Sequence, residues 1–231
     1  WAKTGSLMAF FEWGDWDRVL QWADEVLAAG RDLLDETLWV VARVMRSWVL
    51  LLRGRAGEVD DYAELVAQAR PLREMQVVAP TLVVGAALAH GAGRDEDARA
   101  LLIEFEEATR DVASEYRDAY AAEVARLCVA LGIADIAERL AAAPSGSSAR
   151  DRLYLRATNA ILAEARADLA GAEALYAEVA AAWSAFGCPR EEAEAITGRA
   201  RCRAQLGDPP IDGDAARAEG IYRRLGVPGR G

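Results

Sequence analysis

Lysine and histidine are almost missing from this chain: Lys3 and His90 are the only ones among 231 residues. A phosphate-binding loop of the Gly-x4-Gly-Lys-Ser/Thr type needs a lysine well inside the chain, so none can be built here. A zinc-protease motif needs two histidines, and a Ser–His–Asp triad would have to use His90. Cysteine is scarce too. Cys128, Cys188 and Cys202 are odd in number and have no Cys-x-x-Cys spacing. With one histidine they make a poor zinc set, which takes four N/S ligands or three plus water. Reduced, buried cysteines in a cytoplasmic protein are the expected state. No metal and no cofactor is expected. Long apolar runs are also lacking. Leu38–Leu52 is interrupted by Arg43 and Arg46 and is too short to span a bilayer. Gln76–Gly93 has no formal charge but contains Pro80, Gly85 and His90, and reads as a core helix. The net charge of −10 disfavours direct binding of nucleic acid or an anionic membrane, both of which attract basic surfaces. The chain opens on Trp1 without an initiator Met, a basic leader or a cleavage pattern, and reads as part of a longer polypeptide.

Helical periodicity is abundant. In residues 166–207, Leu169, Ala172, Leu175, Tyr176, Val179 and Trp183 recur at three- and four-residue steps, one apolar face of a helix. Gly187 stops that helix and Pro189 opens the next, where its missing N–H costs no bond. Ala193, Ile196, Ala200 and Leu206 form the apolar side of the second helix. Small residues that precede a new helix recur at Gly14, Gly54, Gly93, Gly132, Ala167 and Gly207, spaced by 40, 39, 39, 35 and 40 residues. Acidic residues follow most of them (Asp15, Asp17, Asp60, Asp61, Asp95, Glu96, Asp97, Asp135 and Asp168). They read as helix initiators, which cap free N–H groups and suit the positive end of the helix dipole, rather than as metal ligands.

This pattern predicts an all-α fold: an α-solenoid of about six antiparallel hairpins in one domain, 1–231, with essentially no sheet. The first helices of the hairpins are expected at Ser6–Trp13, Asp35–Arg53, Arg73–His90 (broken or kinked near Pro80), Ser114–Leu131, Arg150–Arg166 and Arg190–Leu206. The second helices are expected at Asp15–Ala29, Val59–Arg70, Asp95–Val112, Ile133–Ala142, Asp168–Phe186 and Asp214–Leu225. Ala143–Ala149 reads as a loop and Val227–Gly231 as a frayed tail.

Gly14-Asp15-Trp16, with Ala98, Ala137 and Ala172 at the small position of the second helix and Tyr176 at its aromatic position, resembles the tetratricopeptide repeat (TPR). The match is degenerate: Val19 replaces the small residue in the first repeat and the period exceeds the family's 34 residues. The segment AEALYAEVAAAWSAFGCPREEAEAITGRARCRAQLGD, with ARAEGIYRRLG after it, is similar to the C-terminal helical repeats of bacterial signalling ATPases of the nucleotide-cyclase-linked or maltose-regulator type. The resemblance implies a right-handed superhelix acting as a non-catalytic sensor or scaffold region in signalling or transcription regulation. Its partner would be a protein or peptide, an upstream module of the same polypeptide included. A small-molecule effector is the alternative, and an unrecognised enzyme a remote one. The family's concave positions map onto Trp48, His90, Arg126, Tyr154, Glu164, Thr197 and Arg201, an aromatic and arginine mix suited to a carboxylate or a polar metabolite.

Taken residue by residue, blander roles compete. His90, next to Gly91, is placed to cap helix carbonyls. Glu104/Glu107 and Glu191/Glu194 have helix spacing among arginines and read as solvated faces with i,i+3 and i,i+4 pairs rather than as an acid–base pair. Trp1, Trp13, Trp16, Trp22, Trp39 and Trp48 crowd the start of the chain and read mostly as core, with an aromatic binding surface as the alternative.

Overall fold

Each of the six small-residue markers closes a helix in the same way. Gly14, Gly54, Gly93, Gly132 and Gly207 have φ of 78, 71, 73, 72 and 79°, and Ala167 has φ of 60°. In each case the next N–H reaches back five residues. Asp15 bonds Phe10, Arg55 bonds Leu50, Arg94 bonds Ala89, Ile133 bonds Cys128, Asp168 bonds Ala163 and Asp208 bonds Arg203, all at 2.8–3.0 Å. This is the Schellman closure, which needs a left-handed residue and therefore favours glycine. The repeat in the sequence is thus a repeat of helix ends.

The computed structural model describes residues 2–31, 35–110, 114–143 and 148–229. Most of the expected loop at 143–149 lies outside them, as do Trp1, residues 111–112 and the final two residues of the tail. Helix makes up 81% of the described residues, and no strand occurs among them. Contacts divide the chain into two units, Trp1–Val112 and Ala113–Gly231.

The first unit contains α1 (Ala2–Glu12), α2 (Trp16–Ala29), α3 (Glu36–Leu52), α4 (Tyr62–Ala69), α5 (Met75–Gly91) and α6 (Asp95–Thr109). Successive helices pack on each other, and α3 also packs on α5. Of the acidic residues expected as initiators in this unit, Asp61 caps a helix, Asp15 makes no side-chain cap, and Asp60 is held by Arg43. Asp35 accepts from the Thr37 N–H, and Asp61 from those of Ala63 and Glu64. Asp95, Glu96 and Asp97 occupy the first turn of α6. Trp16 and Trp48 are buried, Trp22 packs on the Ala23–Val26–Ala42 cluster, and Trp13 is 60% exposed.

Two expectations need correction here. α5 runs unbroken through Pro80. Twelve of its seventeen residues are buried, and that burial outweighs the roughly 3 kcal/mol cost of an internal proline. α4 is shorter than expected, because Asp61 caps it and Pro71 turns the chain into a tight helical turn at Arg70–Leu72.

The second unit contains α7 (Ser114–Asp118), α8 (Ala121–Ala130), α9 (Ala134–Ala142), α10 (Ala149–Ala165), α11 (Leu169–Phe186), α12 (Pro189–Leu206) and α13 (Asp214–Leu225). The expected single helix Ser114–Leu131 is two helices. The Tyr120 N–H bonds the Arg117 carbonyl in a tight turn, and the Tyr120 carbonyl restarts the ladder by accepting from Val124. α10 packs on α8, α9, α11 and α12, and α12 packs on α10, α11 and α13. First helices therefore touch their own partner and the next first helix, a helical repeat-like order. Leu206, assigned to the apolar side of α12, is 44% exposed, because that side runs out beyond Cys202 at the helix end.

Candidate functional site

The first helices of the second unit carry an unusual amount of buried charge. Arg190, Glu191, Glu192 and Glu194 are each less than a tenth exposed, where the helix spacing of Glu191 and Glu194 had suggested a solvated face. Arg217 of α13 pairs with Glu192 at 2.5 Å, and two further guanidiniums offset the rest. Arg126 on α8 donates to Glu123 at 2.9 Å and, across 65 residues of sequence, to Glu191 Oε2 at 2.5 Å. Arg190 on α12 donates to Glu191 at 3.1 Å and to Glu123 on α8. Two arginines and two glutamates thus close a ring between α8 and α12. Burial alone would raise the Glu123 carboxyl, but Arg190 and Arg126 hold it down to about 2. Burial would lower Arg126, and Glu191, Glu194 and Glu123 override it and raise the guanidinium.

A second cluster adjoins it. Arg201 on α12 donates from Nε and Nη2 to the two Glu164 oxygens at 2.8 and 2.9 Å. The Tyr176 hydroxyl on α11 donates to the same carboxylate at 2.7 Å. Burial, then the Glu164 carboxylate, pushes the Tyr176 hydroxyl far up. Glu164 itself is lowered: burial opposes the change, and the Arg201 and Tyr176 hydrogen bonds outweigh it. Burial, followed by the charge of Glu164, raises the Cys202 thiol to about 11.

The third feature is an open groove of about 560 Å³ between α12 and α13. Ile196, Thr197 and Ala200 line it from α12, Ala215, Ala218, Glu219, Tyr222 and Arg223 from α13, and Val227 and Gly229 from the chain that follows α13. The Thr197 and Tyr222 hydroxyls meet at 3.4 Å.

The seven residues mapped from the TPR resemblance are therefore scattered. Glu164 and Arg201 are brought into direct contact, Arg126 belongs to the neighbouring ring, and Thr197 lines the groove. Tyr154 is 8% exposed, with its ring centroid 4.7 Å from that of Trp183. Trp48 and His90 lie in the other unit. Trp48 is 4% exposed and stacks on Phe11 at 4.5 Å. His90 ends α5, where its Nδ1 lies 2.8 Å from an Asp95 oxygen. Trp48 and Tyr154 thus belong to the cores, because at 3.6 residues per turn a conserved register cannot separate a groove-lining position from a core one beside it.

The residue mapping omitted Glu123, Arg190, Glu191, Tyr176, Ala218 and Tyr222. For the last three a signal exists: Ala172-Glu-Ala-Leu-Tyr176 recurs as Ala218-Glu-Gly-Ile-Tyr222. Among the described residues no three His, Cys, Asp or Glu side chains come together as a metal site, and no helix is long and apolar enough to cross a membrane. No protein-family model matches the chain, and comparison with curated proteins and with solved structures finds no match.

Proposed function

We propose that this chain is a non-catalytic, TPR-like helical scaffold that binds a protein partner through the groove between α12 and α13. The observation that carries the reading is that groove, in which Ile196, Ala200, Ala215 and Ala218 give an apolar lining, the Thr197 and Tyr222 hydroxyls meet, and Glu219 and Arg223 add charge. A closed pocket would suit a small metabolite. An open trough walled by small and apolar side chains suits an extended surface such as a helix or peptide. The arginines first assigned to a partner's carboxylate are engaged internally: Arg126 with Glu123 and Glu191, Arg201 with Glu164. Apolar contact, not a free guanidinium, is therefore the basis of recognition.

Glu123 is held near 2 and Cys202 near 11, so neither changes charge near neutral pH, where an acid–base catalyst works best. The resemblance to the repeats of bacterial signalling ATPases supports a cytoplasmic role in signalling or transcription regulation. There, partner binding biases one arrangement of the array over another by differential affinity.

The test is a benzoylphenylalanine photo-crosslinker at Glu219, on the groove rim, in the complete natural polypeptide and its native cells. Capture of one protein at Glu219, absent with the label at exposed Arg139 on α9 and lost with Ala200→Arg, is the expected outcome. Equal capture from both positions refutes the groove.

A further inference from the structure

A smaller recess, of about 120 Å³, lies where α11, α12 and α13 meet. Its apolar side is made of short side chains at helix spacing, Ala177, Ala180 and Ala181 on α11, together with Ile196 on α12. Its polar side is built in the same way. Arg199 follows Ile196 by three positions on α12, and Asp214 and Arg217 stand three apart in the first turn of α13.

The charged groups there are engaged but not exhausted. Arg199 donates from Nη2 to Asp214 Oδ2. Its side chain is only 16% exposed, yet its Nε is shut off from water and has no acceptor among the described residues. A guanidinium carries five N–H groups, and when buried it normally finds acceptors for them, so this deficit marks a missing partner. Asp214 is 17% exposed, and of its two carboxylate oxygens only Oδ2 accepts a hydrogen bond among the described residues. Arg217 donates from Nε to Glu192 at 2.5 Å and from Nη2 to the Ser184 hydroxyl at 2.8 Å, which leaves Nη1.

We propose that this recess binds a small zwitterionic α-amino acid, of the size of glycine, alanine or serine. The carboxylate accepts from the guanidiniums of Arg199 and Arg217, a pairing that arginine makes well. The ammonium donates to the second oxygen of Asp214, and the short side chain rests on Ala177, Ala180 and Ala181. Charge selects the class. Arg199 and Arg217 are balanced by Asp214 and by the Glu192 that Arg217 holds, so a zwitterion enters without leaving a net charge, whereas a plain anion or cation does not. Volume selects the size, being far below the roughly 300 Å³ at which pockets for drug-sized molecules begin. The inference goes beyond the docking function and does not depend on it, although Ile196 lines both the recess and the groove.

A ligand-observed NMR titration of L-alanine against the complete chain tests it. Saturable binding with a dissociation constant below about 10 mM is expected. Propionate, which lacks the ammonium, and L-alaninamide, which lacks the carboxylate, should each bind at least about tenfold more weakly, and L-phenylalanine not at all. Ala181→Leu fills the recess from an exposed position, touches none of the ion pairs, and should abolish binding with the far-UV circular dichroism unchanged. Asp214→Asn keeps an oxygen for Arg199 and removes the acceptor charge for the ammonium. It should weaken L-alanine about tenfold without weakening propionate.

Absence of saturable L-alanine binding overturns the proposal and leaves the recess to water. Equal binding of propionate also overturns it, by making the ligand a plain carboxylate. Undiminished binding by Ala181→Leu does so by placing the site elsewhere. None of these results touches the groove, because capture at Glu219 does not involve the recess.

Discussion

Replacement of Arg190 by methionine removes one corner of the ring between α8 and α12 and leaves Glu123 and Glu191 to share Arg126. All four side chains are at most about a fifth exposed: Arg190 8%, Glu191 7%, Glu123 13% and Arg126 22%. Water therefore cannot take over the lost role, and breaking such a buried pair costs about 3–5 kcal/mol. The ionisation of Glu123 gives a second measure of the same contact. Its carboxyl drops from an ordinary 4.5 to about 2 in the folded chain. That gap is worth roughly 3 kcal/mol. Because the folded value lies below the unfolded one, this contribution is complete above pH ~4.5 and is lost as the pH falls toward 2. The native chain should thus lose more stability than Arg190→Met between neutral pH and pH 3. Urea titrations of the intact chain at both pH values, read by far-UV circular dichroism, measure the difference, and hydrogen exchange localises it to α8 and α12. A change below about 1 kcal/mol at neutral pH, or an acid dependence identical in both proteins, would refute the reasoning.

Ala167→Gly should stabilise the chain by about 1 kcal/mol, because alanine pays for the left-handed turn that glycine makes at the other five markers; a raised melting temperature is the readout. Gly198→Val should destabilise it by about 1–3 kcal/mol through collision with the Tyr176 ring, measured in the same melts. Asp61→Ala removes a cap shared by two N–H groups and should cost about 1 kcal/mol, with faster amide exchange confined to the first turn of α4. Cys128, Cys188 and Cys202 are buried. With the Cys202 thiol raised to about 11, it should resist Ellman's reagent at pH 8 until denaturant is added, so rapid labelling of the native chain at Cys202 contradicts its placement.

Helix ends were legible in the sequence because they are local. The left-handed markers, the Asp61 and Asp168 caps and the Pro189 start each depend on a few neighbouring residues, and those residues carry the signal. Where tertiary burial decides, the sequence misled. Pro80 reads as a break or a kink, and the break does not occur, because α5 is buried along most of its length. Tyr120 carries no breaker signature, yet a tight turn interrupts the expected helix there. The charge ring was hidden for the same reason. Glu191 and Glu194 look like surface residues until Arg126, 65 positions away, is brought beside Glu191. The groove lay between these cases. Its two walls belong to adjacent helices, and the alanine–glutamate–tyrosine repeat marks one of them.

The ring of Arg126, Glu123, Arg190 and Glu191 also has a mechanical meaning. It joins α8 to α12 and so reaches past the intervening α9, α10 and α11. Apolar helix faces can slide over one another at small cost, whereas ion pairs away from water resist separation steeply over the first ångström. The ring therefore acts as a stiff brace. Parting α12 from α8 therefore has to break these ion pairs as well as apolar contact.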